Sequence, residues 1–331
     1  MKIGLIFAGQ GAQYPGMGKG LYDHSQKARE VLDLAGEQVK DWCFEGTKEM
    51  LRQTHITQPC VYTVTMAAYA AFFEELEKAS PSIQADLEIV GLAGFSLGEY
   101  AALTAAGTID DIHKGMDIVT KRGTWMNEAG LDSEGSQQGS MAAAFGERQA
   151  ILDCVEAVRG DGILQGVNFN SPVQTVVAGD KESLERFKIE AKSRKIKVIP
   201  LSVGTAFHSQ MMKPAAEKLR GLLEECGLKA PSKKVYSNVT AEDMMKGAEG
   251  LDEEATGRFI ADLMGRQAMS PVYWQEIIEH MAADGVDCLI EMGPGTTLCG
   301  IVKKIKPEMM TLNIQDTESL KNTVNTLLEN K

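Results

Sequence analysis

The stretch Ile89 to Ala106, IVGLAGFSLGEYAALTAA, decides the fold. Ile89 to Ala93 is a short apolar run of buried-strand type, Gly94-Phe95-Ser96-Leu97-Gly98 is a glycine-flanked turn, and Leu97 to Ala106 reads as a helix. A strand feeding a helix through a tight turn is the repeating unit of a parallel α/β sheet. Two other runs have the same form: Lys2 to Phe7 enters Ala8-Gly9-Gln10-Gly11-Ala12-Gln13, and Cys288 to Met292 enters Gly293-Pro294-Gly295. Ligands of such sheets gather beyond the carboxyl ends of the strands. Loops from opposite ends of the sequence are thus expected to meet at one site, with Gly9, Gly11, Gly94, Gly98, Gly293 and Gly295 crowding around it. That accounts for part of a glycine surplus, 33 in 331 residues, where roughly 7% is average.

Between these runs the pattern changes. Residues 131 to 139, LDSEGSQQG, are polar, small and turn-rich, as in a linker. Ser140 to Phe145 is strand-like, Glu147 to Arg159 helical, Leu164 to Phe169 and Gln174 to Ala178 strand-like, Lys181 to Ser193 helical, and Lys197 to Leu201 again a strand. The order βαββαβ is that of a ferredoxin-like unit. Long helices follow, Ser209 to Cys226 and Pro271 to Ala283. The expected organisation is a large discontinuous α/β domain, residues 1–131 and 202–331, interrupted by a small α+β domain, residues 132–201. The length suits one large domain or two unequal ones.

Composition narrows the function. With 46 acidic against 34 basic residues the net charge is −12, a poor balance for following a phosphate backbone, so nucleic acid is not an expected partner. Six cysteines show no CxxC or Cys/His spacing, and neither a zinc site nor a disulfide framework is expected. The apolar stretch Cys60 to Phe73 falls short of the ~20 residues that cross a bilayer. The opening MKIGLIFAGQG runs into a glycine loop rather than a cleavage site. A cytoplasmic protein with no membrane partner is expected.

Nucleotide loops fail on inspection. Gly9-Gln10-Gly11-Ala12-Gln13-Tyr14 begins like GxGxxG but puts Tyr14 at the close-packing position, and Gly16-Met17-Gly18-Lys19-Gly20 lacks the P-loop spacing. Gly94-Phe95-Ser96-Leu97-Gly98, in contrast, is GxSxG at a strand-to-helix turn, the setting of a nucleophile elbow. The competing structural reading makes Ser96 a helix cap, with Glu99 completing a Ser-x-x-Glu capping box. A nucleophilic serine needs a base. His24 and His280 lie in polar helical stretches, His55 in a polar loop and His113 within a helix, whereas His208 follows a strand and stands just ahead of a long helix. His208 is therefore the candidate base, although a capping or core histidine fits the same position; no acid declares itself as the third member of a triad. Arg122 projects within a quarter turn of the apolar face of the helix Asp110 to Met126. Either it snorkels to water, or it enters a cleft, where a buried guanidinium demands a carboxylate and suits a substrate's carboxylate by bidentate pairing.

Together these pieces resemble the malonyl-CoA:acyl carrier protein transacylases of fatty-acid synthesis and the related polyketide acyltransferases. The resemblance covers nearly the whole chain. Its signposts, in the family's order, are Gly9-Gln10-Gly11-Ala12-Gln13, Thr57-Gln58-Pro59, Gly94-Phe95-Ser96-Leu97-Gly98-Glu99-Tyr100, Lys121-Arg122-Gly123, Asn168-Phe169-Asn170-Ser171-Pro172, Ala206-Phe207-His208-Ser209 and Glu291-Met292-Gly293-Pro294-Gly295. It implies a hydrolase-like α/β core with a parallel sheet and an inserted ferredoxin-like subdomain. It also implies a dyad of Ser96 as nucleophile and His208 as base and acid, the imidazole oriented by the main-chain carbonyl of Gln267. The backbone N–H groups of Gln10 and Leu97 are implied as the oxyanion hole, and Arg122 as the clamp for the malonyl carboxylate.

The implied reaction passes malonyl from malonyl-CoA to acyl carrier protein through a malonyl-serine, with CoA as substrate and no cofactor or metal. Phe95 departs from the histidine that many fatty-acid members carry before the nucleophile. Phe207, beside the base, resembles the malonyl-selective signature of the polyketide branch and is expected to crowd an α-methyl group. A stand-alone transferase of polyketide synthesis, a serine esterase, and a non-catalytic docking protein are the alternatives. Carrier proteins of this kind are acidic, so a local basic patch is expected to offset the net charge; Lys188, Lys192, Arg194, Lys195 and Lys197 are the candidates, and a solvated charge run is the competing reading.

Overall fold

In the computed structural model, which describes residues 1–80 and 87–330, the strand Lys2–Phe7 (β1) is buried from Ile3 onward because it has a neighbour on each side. Glu88–Gly94 (β2) and Cys288–Met292 (β8) both pair with it in parallel. Val235–Tyr236 (β7) and Met310–Ile314 (β9) extend the sheet to the order β7-β2-β1-β8-β9, parallel throughout. Helices cover both faces, which is why the strands read as continuous apolar runs rather than alternating ones. Ile3, Leu5 and Phe7 face the core built on the helix Thr54–Ala79, while Ile6 faces Trp274, Ile277 and Val302.

That long helix absorbs the Cys60 to Phe73 run and buries it nearly all round. Its first turn also contains His55, so the polar loop expected there is instead a helix start. Among the described residues, no helix is long and apolar enough to cross a membrane.

The second sheet is antiparallel. Gly139–Phe145 (β3), Leu164–Ser171 (β4), Gln174–Asp180 (β5) and Lys197–Pro200 (β6) assemble in the order β4-β5-β3-β6. With the helices Arg148–Val158 and Lys181–Ser193 between them, this is the ferredoxin-like arrangement. Strand alternation gives it two cores: Ala142 and Ala144 pack with Ile151, Leu184 and Phe187, whereas Met141 and Ala143 pack with Met126, Phe207 and Met212. The 131–139 segment is an ordered turn, since the Asp132 carboxylate accepts from the Glu134 and Ser136 amides and from Gln138 Nε2.

Among the described glycines, Gly94 in the turn after β2 makes the closest approach to main chain. A Cβ on Gly94 would lie 1.9 Å from the carbonyl carbon of Gly98, with main chain on the other side of the clash. Overpacking against backbone cannot be relieved by a rotamer change. Gly94→Ala is therefore expected to destabilise the protein by about 3 kcal/mol, read from the midpoint of chemical denaturation; an unchanged midpoint would contradict this account.

Candidate active site

Ser96 occupies the turn between β2 and the helix Gly98–Ala105 in a left-handed conformation, φ 52°. Asn238, which follows β7, holds that turn from both ends: its Oδ1 accepts from the Ser96 amide and its Nδ2 donates to the Gly94 carbonyl, both at 2.7 Å. The capping reading of Ser96 does not survive. The helix has no side-chain cap, and Ser96 Oγ lies 2.7 Å from His208 Nε2 instead. Glu99, the supposed partner in the box, is buried and accepts from the Asn238 amide at 3.1 Å and from Gln267 Nε2 at 3.0 Å.

His208 is also left-handed, φ 61°, and buried. Its Nδ1 lies 3.0 Å from the Gln267 carbonyl and 3.1 Å from that of Ser270. Two carbonyls can only accept, so the ring proton sits on Nδ1 and Nε2 is left as the acceptor facing Ser96. Burial, reinforced by the nearby Arg122 charge, pushes the imidazole down to about 4, against the opposing pull of the two carbonyls. The ring is neutral at pH 7.

Arg122 is buried, which excludes the snorkelling reading. Nor does it find the carboxylate that a buried guanidinium demands. Its Nη1 donates to Gln58 Oε1 at 2.9 Å, and its Nη2 donates to Gln267 Oε1 at 3.0 Å and to Ser96 Oγ at 3.2 Å. All of these acceptors are neutral. Among the described residues the Arg122 Nε has no hydrogen-bond partner, and the guanidinium lies over the Tyr100 ring, 5.2 Å from its centroid.

Gly9 brings the amino-terminal loop against the elbow, where a Cβ would meet the Phe95 carbonyl oxygen at 2.4 Å. Gln10 is thereby placed beside Ser96, and both line a cavity of about 100 Å³ with Gln58, Arg122, Phe207 and His208. Among the described residues, no acceptor takes the main-chain N–H of Gln10 or of Leu97, whereas the Ser96 N–H is taken by Asn238. A groove of about 400 Å³ shares Gln10, Leu201 and Val203 with the cavity and runs out past Lys48 and Arg52. The cavity that Ser96 lines therefore adjoins an open groove.

Some expected neighbours lie elsewhere. Gly293 packs on Thr65 and Ala8, and Gly295 faces Ala12, so both support the Gly9 loop from behind rather than line the cavity. Of the basic run, Lys188 pairs with Glu185 at 2.6 Å within the helix Lys181–Ser193, and Arg194, which caps that helix, pairs back with Glu190 at 2.7 Å. His24, His55, His113 and His280 are all outside the cavity. Sequence reasoning missed Asn238 and assigned no role to the side chains of Gln58 and Gln267. β7 is two residues long, too short to announce that Asn238 stands at a strand end.

Residues 5–320 match the family of the acyl transferase domain. The malonyl CoA-acyl carrier protein transacylase of Bacillus subtilis is 36% identical over 335 residues, covering 99% of this chain and 98% of that one. This chain belongs to the malonyl CoA-acyl carrier protein transacylase family. Among solved structures, the transacylase of that name from Clostridium perfringens superposes with a TM-score of 0.86 at 34% identity, covering 99% of this chain and 98% of its own. A malonyl-transacylase in complex with a type II polyketide synthase acyl-carrier protein gives a TM-score of 0.86 at 32% identity, with both chains covered completely, 100% each.

The depressed basicity of His208 is directly measurable. Its imidazole resonances are expected to titrate near pH 4, well below the ~6.5 of a free histidine. A midpoint near 6.5 in an NMR titration would contradict the buried, carbonyl-anchored geometry.

Proposed function

We propose that this chain transfers the malonyl group from malonyl-CoA to the phosphopantetheine thiol of acyl carrier protein, supplying fatty-acid synthesis through a malonyl ester on Ser96. The observation that carries the reading is Arg122: a buried guanidinium, 3.2 Å from Ser96 Oγ, with neutral amides and hydroxyl as its acceptors. Among the described residues no carboxylate contacts that guanidinium directly, which favours an acyl donor that brings its own. An esterase of neutral esters has no use for that charge. The likeness to a malonyl-transacylase bound to a polyketide carrier protein makes a stand-alone transferase of polyketide synthesis the second reading.

In the proposed cycle, His208 Nε2 takes the proton of Ser96 Oγ as the oxygen adds to the thioester carbonyl. The resulting oxyanion is held by the Gln10 and Leu97 amides, which have no acceptor among the described residues. Collapse breaks the C–S bond, the imidazolium returns its proton to the departing CoA sulfur, and malonyl-Ser96 remains. The carrier-protein thiol then gives its proton to His208 and attacks the ester through the same sequence. These residues cover every proton and charge, so the cycle invokes no cofactor. With residues 1–131 and 202–331 taken as one large discontinuous domain and residues 132–201 as a small one, the cavity draws Ser96 and His208 from the first and Met141 and Asn168 from the second. A cytoplasmic location follows from this role.

Intact mass spectrometry tests the cycle. Wild type mixed with malonyl-CoA is expected to gain one malonyl group and lose it on addition of carrier protein, while Ser96→Ala gains none. A malonyl group lost equally fast to water alone would support the hydrolase instead. Removing one partner of a buried charge interaction costs about 2–5 kcal/mol. Arg122→Ala is accordingly expected to lose at least ~30-fold in kcat/KM for malonyl-CoA, and full retention would refute the clamp.

Phe207 lines the cavity beside His208 and is largely buried. A bulky ring there leaves little room for an α-methyl branch, so malonyl-CoA is expected to be used in preference to methylmalonyl-CoA. Comparable turnover of the two esters would defeat this assignment.

A further inference from the structure

Glu99 has no direct contact with Ser96, His208 or Arg122 among the bonds above, yet its neighbours grip all three. Its Oε1 accepts from the main-chain N–H of Asn238 at 3.1 Å, and its Oε2 from Gln267 Nε2 at 3.0 Å. The Gln267 amide is fixed by its other bonds. Nε2 also donates to the Ser96 carbonyl at 2.7 Å, and Oε1 accepts from Arg122 Nη2 at 3.0 Å. Turning the amide over would set its oxygen against the Ser96 carbonyl and the Glu99 carboxylate, and its NH2 group against the guanidinium. The Glu99 carboxylate therefore acts with the Ser96 carbonyl in fixing the orientation that serves Arg122.

We propose that Glu99 is a positioning residue that holds the Gln267 amide with its oxygen toward Arg122, and so sets the guanidinium to receive a substrate carboxylate. Counting donors and acceptors shows why a carboxylate is needed. Both groups aimed at Glu99 are N–H donors, and an ionised carboxylate offers two acceptors. Glutamine of the same length offers one acceptor and one NH2 group, so Glu99→Gln sets an N–H against either Asn238 or Gln267. Leaving a buried donor unpaired is the costly outcome.

The two branches from Glu99 have separable consequences. Through Asn238 it bears on the Ser96 turn, which every acyl donor uses alike. Through Gln267 it bears on Arg122, which matters only to donors with a free carboxylate. Glu99 also stands in for the acid missing beside His208, but at one remove: it anchors the side chain of the residue whose carbonyl orients the ring.

This inference rests on the proposed malonyl transfer, and the test separates the two. Second-order rates of Ser96 acylation by malonyl-CoA and by acetyl-CoA are measured by quenched mass spectrometry for wild type, Glu99→Gln, Gln267→Met and the double variant. Methionine keeps the length and the main-chain carbonyl of Gln267 while removing its amide. Each single variant is expected to lower the malonyl-to-acetyl ratio about tenfold, and the double variant to lower it no further, as for two residues acting in series. General destabilisation would slow both donors and leave the ratio unchanged. A ratio within about twofold of wild type in either single variant, or losses that multiply in the double, would overturn the proposal. If Glu99→Gln does not fold, the ratio of Gln267→Met decides alone. A wild type that takes no malonyl group overturns the transfer reading and this inference together, whereas an acylating wild type with unchanged variants overturns only the inference.

Discussion

A serine held at positive φ is the constraint from which the rest of the site follows. Ser96 is in the left-handed region without being glycine, a conformation that costs on the order of 1–3 kcal/mol and persists only where the surroundings enforce it. Enforcement comes from Asn238, whose side chain bonds both the Ser96 amide and the Gly94 carbonyl. Only with the turn so held does Oγ leave the helix start and point at His208. The same bond consumes the Ser96 N–H. The Leu97 N–H is thus the elbow amide without an acceptor among the described residues, and Gly9 lets Gln10 come in from the other side.

The electrostatics of the site are equally constrained. Arg122 and Glu99 are both buried, and the amide of Gln267 stands between them. A direct ion pair would spend the guanidinium on the carboxylate. With the amide interposed, the two charges are coupled and Arg122 keeps its capacity for another anion. Burial disfavours each charged form, pushing Glu99 up to about 7 and lowering Arg122 from its ordinary value. His208, the third titratable group, is kept neutral by burial and by Arg122. The site therefore presents one positive charge, one neutral base and two free amides around a single hydroxyl.

Position within the fold supplies the remaining requirement, exclusion of solvent. Ser96, Gln10 and Asn238 come from the carboxyl ends of strands in the parallel sheet, whereas Met141 belongs to the antiparallel sheet and Asn168 to its edge strand. The edge strand of the antiparallel sheet is tied there to the segment ahead of the helix Trp274–Ala283 by main-chain bonds between Val272 and the residues on either side of Asn168. The cavity takes lining residues from both sheets and meets the neighbouring grooves at Leu201 and Val203.

Read by itself, the sequence determines the α/β class, the βαββαβ order of the second sheet, and the serine elbow, because each rests on local periodicity and turn chemistry. Ser96, His208 and Arg122 were also legible as candidates, but their competing readings as a cap, a core histidine and a snorkelling arginine are locally just as good. Tertiary structure alone decides between them. The bonds that do so join Ser96 to His208, Arg122 to Gln267 and Asn238 to Gly94, residues 112, 145 and 144 positions apart. Burial of Arg122 and Glu99 is likewise a property of several elements closing together. A side chain's spacing along its own helix sets the face it occupies, and only the partner brought to that face sets its charge, its donors and its work.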